Sequence, residues 1–324
     1  MKRTLLVLVA LLALPTAAHA DGLPVLGLDG NAGVVSSDAA YRYVTFPSGR
    51  QTVVARLRTH GGAVARYRTV AGRFTIPAVA YDNSASGLSQ DGRTLVLIRP
   101  RVRMAQKHTH LLVLDAHRFR RPREIVLPGD FSFDAISPDG STLFLVNYLS
   151  LTRHNFDPSD YKVRSFDVAG GKLDPAPVVD PRKPGEKMGG LPVTRAMSPD
   201  GRWAYTLYSG ADHPFVHALD TVGNSARCID LDALAKRDDL FQMTLRVGGA
   251  GDLQIVKANK PLLLVDTRSF AVHAPRAAAP AAAHAAPSPG DDGYPAWAYG
   301  LAFLTLLLVA AVSARPLARA ARAR

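Results

Sequence analysis

Two pairs of histidines have spacings that a metal ion could use. His108 and His110 alternate along a predicted strand, and three residues separate His213 from His217. Imidazole nitrogens are common ligands of zinc. However, neither pair belongs to an H-E-x-x-H motif, and proline directly follows His213. We therefore interpret these residues as isolated, partly exposed histidines, and we expect the protein to hold no metal and no other cofactor.

Four acidic or amide residues could supply oxygen ligands to Ca²⁺ if the fold brought them to one place. They are Asp38, Asp82, Asn83 and Asp134. Carboxylate and amide oxygens are the hard ligands that Ca²⁺ prefers, but the sequence contains no D-x-D-x-D-G loop that would hold the ion locally. A metal site built from these residues stays open only as part of an alternative function.

Motifs for covalent catalysis and for nucleotide binding are missing from the sequence. There is no G-x-S-x-G and no G-x-x-x-x-G-K-S, and "GNAG" from Gly30 lacks the context of a dinucleotide fingerprint. The single cysteine, Cys228, lies in the alternating stretch "SARCIDL" and is predicted to be a small buried hydrophobic residue. These observations favour a protein without enzymatic activity and leave the question open.

A short turn motif followed by an apolar strand occurs at least three times. "LSQDGRTLVLI" begins at Leu88, "ISPDGSTLFLV" at Ile136 and "MSPDGRWAYTL" at Met197. Proline presets the first turn dihedral, aspartate hydrogen-bonds the backbone ahead of it, and glycine adopts positive φ. We assign weaker copies to "FPSGRQTVVARL" from Phe46 and "GGAGDLQIVKA" from Gly248. The recurrent turn residues are therefore assigned a structural role: Asp91, Gly92, Asp139, Gly140, Asp200 and Gly201.

In four of the units a second strand ends in an aspartate, and these aspartates recur at a regular spacing. Asp115, Asp167, Asp220 and Asp266 are 52, 53 and 46 residues apart. A further strand follows each aspartate, and another precedes each turn motif. Four short strands in each unit of about 45 to 60 residues are typical of a β-propeller. The one predicted short helix begins at Leu231.

The turn motif and the strand ending in aspartate resemble the YVTN and TolB-like β-propeller repeats, which are related to WD repeats. The resemblance covers most of residues 21–276 and implies an all-β fold with about five, possibly six, four-stranded blades. It implies little about function, because such propellers include partner-binding proteins, lactonases and quinoprotein dehydrogenases. The first unit departs from the pattern because its strand "AVARYRTV" lacks the final aspartate, and the third unit carries two insertions.

Both ends of the chain carry segments typical of export and membrane anchoring. Residues 1–20 have the basic start, apolar run and small residues Ala18 and Ala20 of a signal peptide, although an uncleaved anchor is an alternative. Residues 277–293 are predicted to form an Ala/Pro-rich stalk. Residues 294–314 are predicted to span a bacterial membrane once, with aromatic residues at the start and the basic cytoplasmic tail 315–324 after it. A buried core helix or a processed sorting signal are the alternatives for this segment.

The predicted body, residues 21–276, is basic, with 33 Lys and Arg against 25 Asp and Glu. Its cations concentrate in two clusters. We interpret the clusters first as solvated strand faces and second as a surface for an anionic partner, but not for nucleic acid, because the body is predicted to be exported. The first cluster comprises Arg99, Arg101, Arg103 and Lys107, and the second comprises Arg118, Arg120, Arg121 and Arg123.

These features together predict a membrane-anchored propeller outside the cytoplasm that recognises a protein or an anionic envelope polymer. The insertion "RHNFDPSDYK" is the predicted partner-binding loop, although an idle surface loop is equally consistent with it. Its residues that could contact a partner are Arg153, His154, Asp157, Asp160 and Tyr161. A metal-dependent, lactonase-like hydrolase at the channel mouth is the alternative. A signalling receptor is disfavoured because the predicted tail is short.

Overall fold

A computed structural model describes residues 32–101, 106–149, 161–185, 189–210, 213–249 and 251–275. This part of the chain is nearly all β, with strands arranged as five antiparallel sheets that follow one another in sequence. Each sheet is a simple meander in which neighbours in sequence pair. The prediction of an all-β fold with five repeated units is confirmed, and the architecture is propeller-like.

Four of the sheets have four strands and the second has three. The first two sheets contain β1 (Val34–Val35), β2 (Tyr41–Ser48), β3 (Gln51–Arg58) and β4 (Val64–Ala71), then β5 (Thr94–Ile98), β6 (His108–Asp115) and β7 (Arg123–Pro128). The third sheet contains β8 (Asp130–Ile136), β9 (Thr142–Tyr148), β10 (Tyr161–Asp167) and β11 (Lys172–Val178). The last two contain β12 (Pro192–Met197), β13 (Trp203–Tyr208), β14 (Phe215–Asp220) and β15 (Ser225–Asp230), then β16 (Met243–Val247), β17 (Asp252–Lys257), β18 (Lys260–Asp266) and β19 (Val272–His273).

The turn between the first two strands of the third sheet shows why its sequence recurs. The Asp139 carboxylate accepts hydrogen bonds from the Ser137 hydroxyl at 2.6 Å and from the Ser141 amide at 3.0 Å. The Ser137 hydroxyl oxygen accepts from the Thr142 amide at 2.9 Å, and Gly140 adopts φ +74°. The hydrogen bond from Ser137 lowers the pKa of Asp139, so the carboxylate stays charged and the turn stays closed. Residues 89–94 and 198–203 repeat these bonds.

These corner turns converge at one end of the sheets. The Asp91 amide in the second unit donates to the Pro138 carbonyl of the third at 3.0 Å. The Gln90 side chain donates to the Pro199 carbonyl of the fourth unit at 2.6 Å, and the Ser37 hydroxyl of the first donates to the Gln90 carbonyl at 2.9 Å. Direct contacts among the turns of four units are expected when sheets are arranged around an axis.

The corner turn of the first unit lies at residues 36–41 and not at the predicted "FPSG". Asp38 accepts from the Ser36 hydroxyl and the Ala40 amide, and the Tyr41 amide donates to Ser36. Gly49, by contrast, lies in the hairpin between β2 and β3. The prediction failed here because Ala39 adopts φ +55° at the position where the other copies have glycine. An alanine pays roughly 1 kcal/mol for that conformation, but it is not forbidden there.

The inner part of the second unit is irregular, so the strand predicted to precede its turn motif, in "PAVAYD" from Pro77, does not form. Residues 75–88 make only isolated bridges to β5 and to one another. From this segment, the Tyr81 amide donates to the Pro192 carbonyl at 2.9 Å and the Asp82 amide donates to the Val193 carbonyl at 3.2 Å. A segment of the second unit therefore pairs with the inner strand of the fourth.

Hydrophobic clusters join successive sheets. Leu95 and Leu112 of the second sheet pack with Val54 of the first, and equivalent apolar residues join each later sheet to the next. Burial of each large side chain contributes about 1.5 to 3 kcal/mol. In the absence of a disulfide, these interfaces are the main source of stability for the described sheets.

The predicted signal peptide, stalk, membrane span and cytoplasmic tail lie outside the described residues. Within the ranges that are described, no helix has the length and hydrophobicity needed to cross a membrane. The helix predicted from Leu231 is present only as two 3₁₀ turns, Asp232–Leu234 and Leu240–Gln242.

Candidate anion-binding cleft

The hairpin between β6 and β7 is closed by the aspartate at the end of β6. The Asp115 carboxylate accepts hydrogen bonds from the amides of His117 at 2.8 Å and Arg118 at 2.9 Å. Partial burial would raise the pKa of Asp115, but these two backbone hydrogen bonds and the neighbouring cations hold it below its ordinary value. Its negative charge is therefore already engaged in holding the hairpin together.

Phe119 anchors this hairpin in the hydrophobic interface between the first two sheets. Its side chain is fully buried, its ring meets Tyr43 edge-on at 6.2 Å, and its carbonyl accepts from Arg68 Nη1 at 2.8 Å. Phe119 adopts φ +53°, a strained conformation for a phenylalanine that the surrounding packing maintains. Because Phe119 points inward, the adjacent Arg118 and Arg120 are held exposed on a rigid support.

The hairpin forms one wall of a cleft of about 1120 Å³. Arg56 on β3 and Arg66 on β4 of the first sheet also line it, as does Val168, which directly follows β10 of the third sheet. We call this feature the arginine cleft. Seven arginines line it: Arg56, Arg66, Arg93, Arg118, Arg120, Arg121 and Arg123.

The positive charge of the arginine cleft is largely uncompensated. Asp115 is the one carboxylate among its lining residues, and it is engaged with the backbone. Within the described part of the chain, one ion pair joins a cleft arginine to a carboxylate, between Arg93 and Asp91 at 3.9 Å. That pair is exposed and is expected to contribute little. Clustered guanidinium groups with low-dielectric walls attract anions.

An equivalent groove between the third and fourth sheets has a different charge. It also combines strands of one sheet with the β14–β15 hairpin of the next, and its volume is about 390 Å³. Its charged lining residues are Asp167, Asp174 and Lys172. The cationic character is thus a property of the arginine cleft and not of the repeated architecture.

Sequence reasoning found the second basic cluster but missed Arg56, Arg66 and Arg93. A signal for these residues was present in the distribution of charge. Residues 39–128 contain sixteen Lys and Arg against four Asp and Glu, whereas residues 129–276 contain seventeen against eighteen. The first two units therefore carry the whole cationic excess of the body.

The first basic cluster was predicted to be a solvated strand face, and the structure shows that not all of its residues are exposed. Arg101 is buried and forms an ion pair with Asp130, and their side chains are 3% and 6% exposed. Arg99 pairs with Glu124 at 2.9 Å. Arg103 lies outside the described residues. The interpretation was wrong for Arg101 because its partner comes from the next sheet, which a local alternation pattern does not indicate.

A second buried ion pair lies between the third and fourth sheets. Arg195 pairs with Asp134, and their side chains are 4% and 3% exposed. Arg195 Nη1 also donates to the Asp134 carbonyl at 3.0 Å, while Asp134 Oδ2 and Arg195 Nε have no hydrogen-bond partner among the described residues. Asp134 thus contacts an arginine and is not open to a metal ion.

The other candidate metal ligands are also engaged locally. Asp38 accepts from Ser36 at 2.5 Å, and Asp82 accepts from the Ser84 amide at 2.9 Å. Asn83 adopts φ +62° in a turn. Across the described ranges, no group of three or more His, Cys, Asp or Glu side chains is positioned to hold a metal ion.

The four histidines occupy different environments. His110 Nδ1 lies 2.7 Å from Glu124, His108 is exposed, and His213 Nε2 lies 3.1 Å from Asp230. His217 is 1% exposed and packs edge-on against Tyr208, so the expectation of partial exposure was wrong for this residue. It lies directly opposite Thr206 on β13, and the buried Asp134 and Arg195 are among the charged groups near it.

Of the predicted partner-binding residues, Arg153, His154, Asp157 and Asp160 lie outside the described residues. Tyr161 begins β10 and is 6% exposed. Its ring contacts those of Tyr148 and Tyr208, each with centroids 6.1 Å apart, and its burial raises its pKa well above the ordinary value. In this structure the Tyr161 side chain is therefore buried among these rings.

The sequence matches no protein-family model, and no curated protein matches it significantly. Solved structures with which it shares similarity include a TolB from Agrobacterium tumefaciens described as putative, at 17% identity and TM-score 0.40, covering 75% of this chain and 79% of that one. TolB from Acinetobacter baumannii is 13% identical with a TM-score of 0.38, and the match covers 69% of this chain and 51% of that one. The Cps50 (Swd1) β-propeller domain of Myceliophthora thermophila is 10% identical with a TM-score of 0.41, and the match covers 71% of this chain and 64% of that one. Because these values are low, we base the propeller-like fold on the five sheets and their converging turns.

Proposed function

We propose that this protein is a non-catalytic recognition module that binds an anionic partner in the arginine cleft. The observation that carries the proposal is the convergence of seven arginines from two sheets and a hairpin onto one open cleft. Its one carboxylate is engaged with backbone amides, so the cleft offers many hydrogen-bond donors and little negative charge. Arginine is well suited to binding anions because its planar fork donates to two oxygens at once.

The partner is an acidic protein surface or an anionic polymer of the bacterial envelope, because the chain is proposed to be exported. The apolar segment within residues 294–314 and the signal peptide within 1–20 support this location. In this arrangement the body lies outside the cytoplasm on the stalk 277–293. Protease added to intact spheroplasts should cleave the body, whereas a protected body would contradict the proposed location.

We expect removal of the hairpin charges to weaken polyanion binding by the full-length protein. The test variant replaces Arg118, Arg120 and Arg121 with glutamine, which keeps Phe119 and the hairpin geometry. Heparin, a sulfated polysaccharide, serves as the probe. At about 0.5 kcal/mol for each exposed contact, three losses correspond to roughly tenfold weaker binding. The dependence of log affinity on log salt should also become shallower by about one for each contact removed.

The matched control removes the same number of charges outside the cleft, by replacing the exposed Arg50, Arg246 and Arg268 with glutamine. Arg268 is exposed on the hairpin between β18 and β19, where Asp266 accepts from the Arg268 amide as Asp115 does from His117. The control should bind heparin as the unmodified protein does. Equal losses in the two variants would show that net charge and not the arginine cleft determines binding, and would contradict the proposal.

A further inference from the structure

Two arginines in the cleft face each other across a pair of strands. Arg56 on β3 and Arg66 on β4 are directly opposite in the register, and both line the cleft. Directly opposed residues have Cβ atoms about 4.5 to 5.5 Å apart, and like charges in such pairs destabilise a sheet. Between Asp38 and Asp82 the sequence contains seven arginines and no acidic residue that could relieve this repulsion locally.

Arg56 is held in place although one of its donors is unused. Its guanidinium carbon lies 4.5 Å from the centre of the Tyr41 ring, and Nη1 lies 3.4 Å from His117 Nδ1. Its Nε is buried and has no hydrogen-bond partner among the described residues. The contacts with Tyr41 and His117 hold the guanidinium of Arg56 at the wall of the cleft.

We propose that Arg56 and Arg66 form a subsite for a phosphate group of the anionic partner. This inference rests on the proposed function and specifies the chemistry of the ligand. One arginine can satisfy both oxygens of a carboxylate through a bidentate pair. A phosphate has four oxygens in a tetrahedral arrangement, at least two of them non-bridging even within a chain, so two guanidinium groups on opposite strands can donate to it from two sides. The hairpin arginines provide contacts for further phosphates along the same chain.

The test compares binding of long-chain polyphosphate and of poly-L-glutamate with matched total charge to the full-length protein. Arg66→Gln should weaken polyphosphate binding about tenfold, which corresponds to about 1.4 kcal/mol, and should change polyglutamate binding less than about twofold. Arg66 is exposed, so the substitution should not prevent folding. The control is Arg50→Gln, an exposed arginine in the β2–β3 hairpin outside the cleft, which should have no effect.

Thermal unfolding without ligand provides a second measurement. Because glutamine removes the repulsion across β3 and β4, Arg66→Gln should unfold at a higher temperature than the unmodified protein but gain less stability from polyphosphate. A variant that unfolds at a lower temperature, or that binds both polymers equally less well, would overturn the phosphate subsite and leave the anionic cleft intact. If neither polymer nor heparin bound the unmodified protein, the proposed function itself would fail.

Two additional probes identify the source of the phosphate. Stabilisation by inorganic phosphate alone, lost in Arg66→Gln, would support the subsite and show that it accepts a free ion. Arg66-dependent binding to phosphatidylglycerol vesicles, with no binding to phosphatidylcholine vesicles, would support it and indicate a lipid headgroup. If polyphosphate binds in an Arg66-dependent manner and neither of these probes does, the ligand is a polymer with linked phosphates.

Discussion

Replacement of Asp134 with alanine is expected to lower the free energy of unfolding by about 3 to 5 kcal/mol. Asp134 and Arg195 are both almost completely buried between the third and fourth sheets. The substitution would leave the Arg195 guanidinium in an apolar interface without its counter-charge, and the penalty for an unpaired buried charge is large. Urea unfolding of the full-length protein, followed by tryptophan fluorescence, would measure the change.

A double substitution distinguishes loss of pairing from loss of packing. Asp134→Leu combined with Arg195→Met removes both charges and should be markedly less destabilising than Asp134→Ala alone. Two results would contradict this role of the buried pair. One is a decrease of less than about 1 kcal/mol in the free energy of unfolding of Asp134→Ala. The other is a double variant that loses as much stability as Asp134→Leu and Arg195→Met lose separately, added together.

Acidification from pH 7 to pH 4 is expected to remove about 3 kcal/mol of stability through His217 alone. Burial lowers the pKa of His217 to about 4, from an ordinary value of 6.5. Below pH 6.5 the unfolded chain takes up a proton on this residue while the folded protein does not, so stability decreases as the pH falls toward 4. The size follows from about 1.4 kcal/mol for each pKa unit.

His217→Leu should abolish this decrease, whereas His60→Gln should preserve it. His60 is exposed in the hairpin between β3 and β4 and serves as the control for loss of a histidine. The aspartates of the corner turns have lowered pKa values, so most of their contribution is lost below about pH 4. An unchanged pH dependence between 4 and 6.5 in His217→Leu would contradict the account of this residue.

Local chemistry made the strands and turns predictable. The Ser-x-Asp-Gly corners close through bonds within six residues, as those of Asp139 show, and their sequence therefore recurs wherever the turn does. The aspartate at the end of β6 likewise acts on amides two and three residues ahead. The corner turn of the first unit was not predicted, because the sequence pattern required a glycine and this turn has Ala39 in its place. Ala39 adopts the same positive φ, and the strain is tolerated there.

Contacts between sheets were not predictable in the same way. The pairing of Arg101 with Asp130 and of Arg195 with Asp134 depends on how adjacent sheets pack, which alternation along one strand does not specify. The opposition of Arg56 and Arg66 depends on the register of β3 and β4, including an irregularity next to Arg56. The uneven distribution of charge along the chain does indicate which units form the arginine cleft, although not which side chains meet there.

Hydrogen exchange of the full-length protein with and without polyphosphate tests the central claim most directly, because it locates the ligand without altering any arginine. We expect slower exchange on binding in the β6–β7 hairpin and in β3 and β4 around Arg56 and Arg66, with no change in the β14–β15 hairpin of the equivalent groove. Protection at the β14–β15 hairpin, or binding that leaves the arginine cleft unprotected, would contradict the assignment of this cleft as the recognition site.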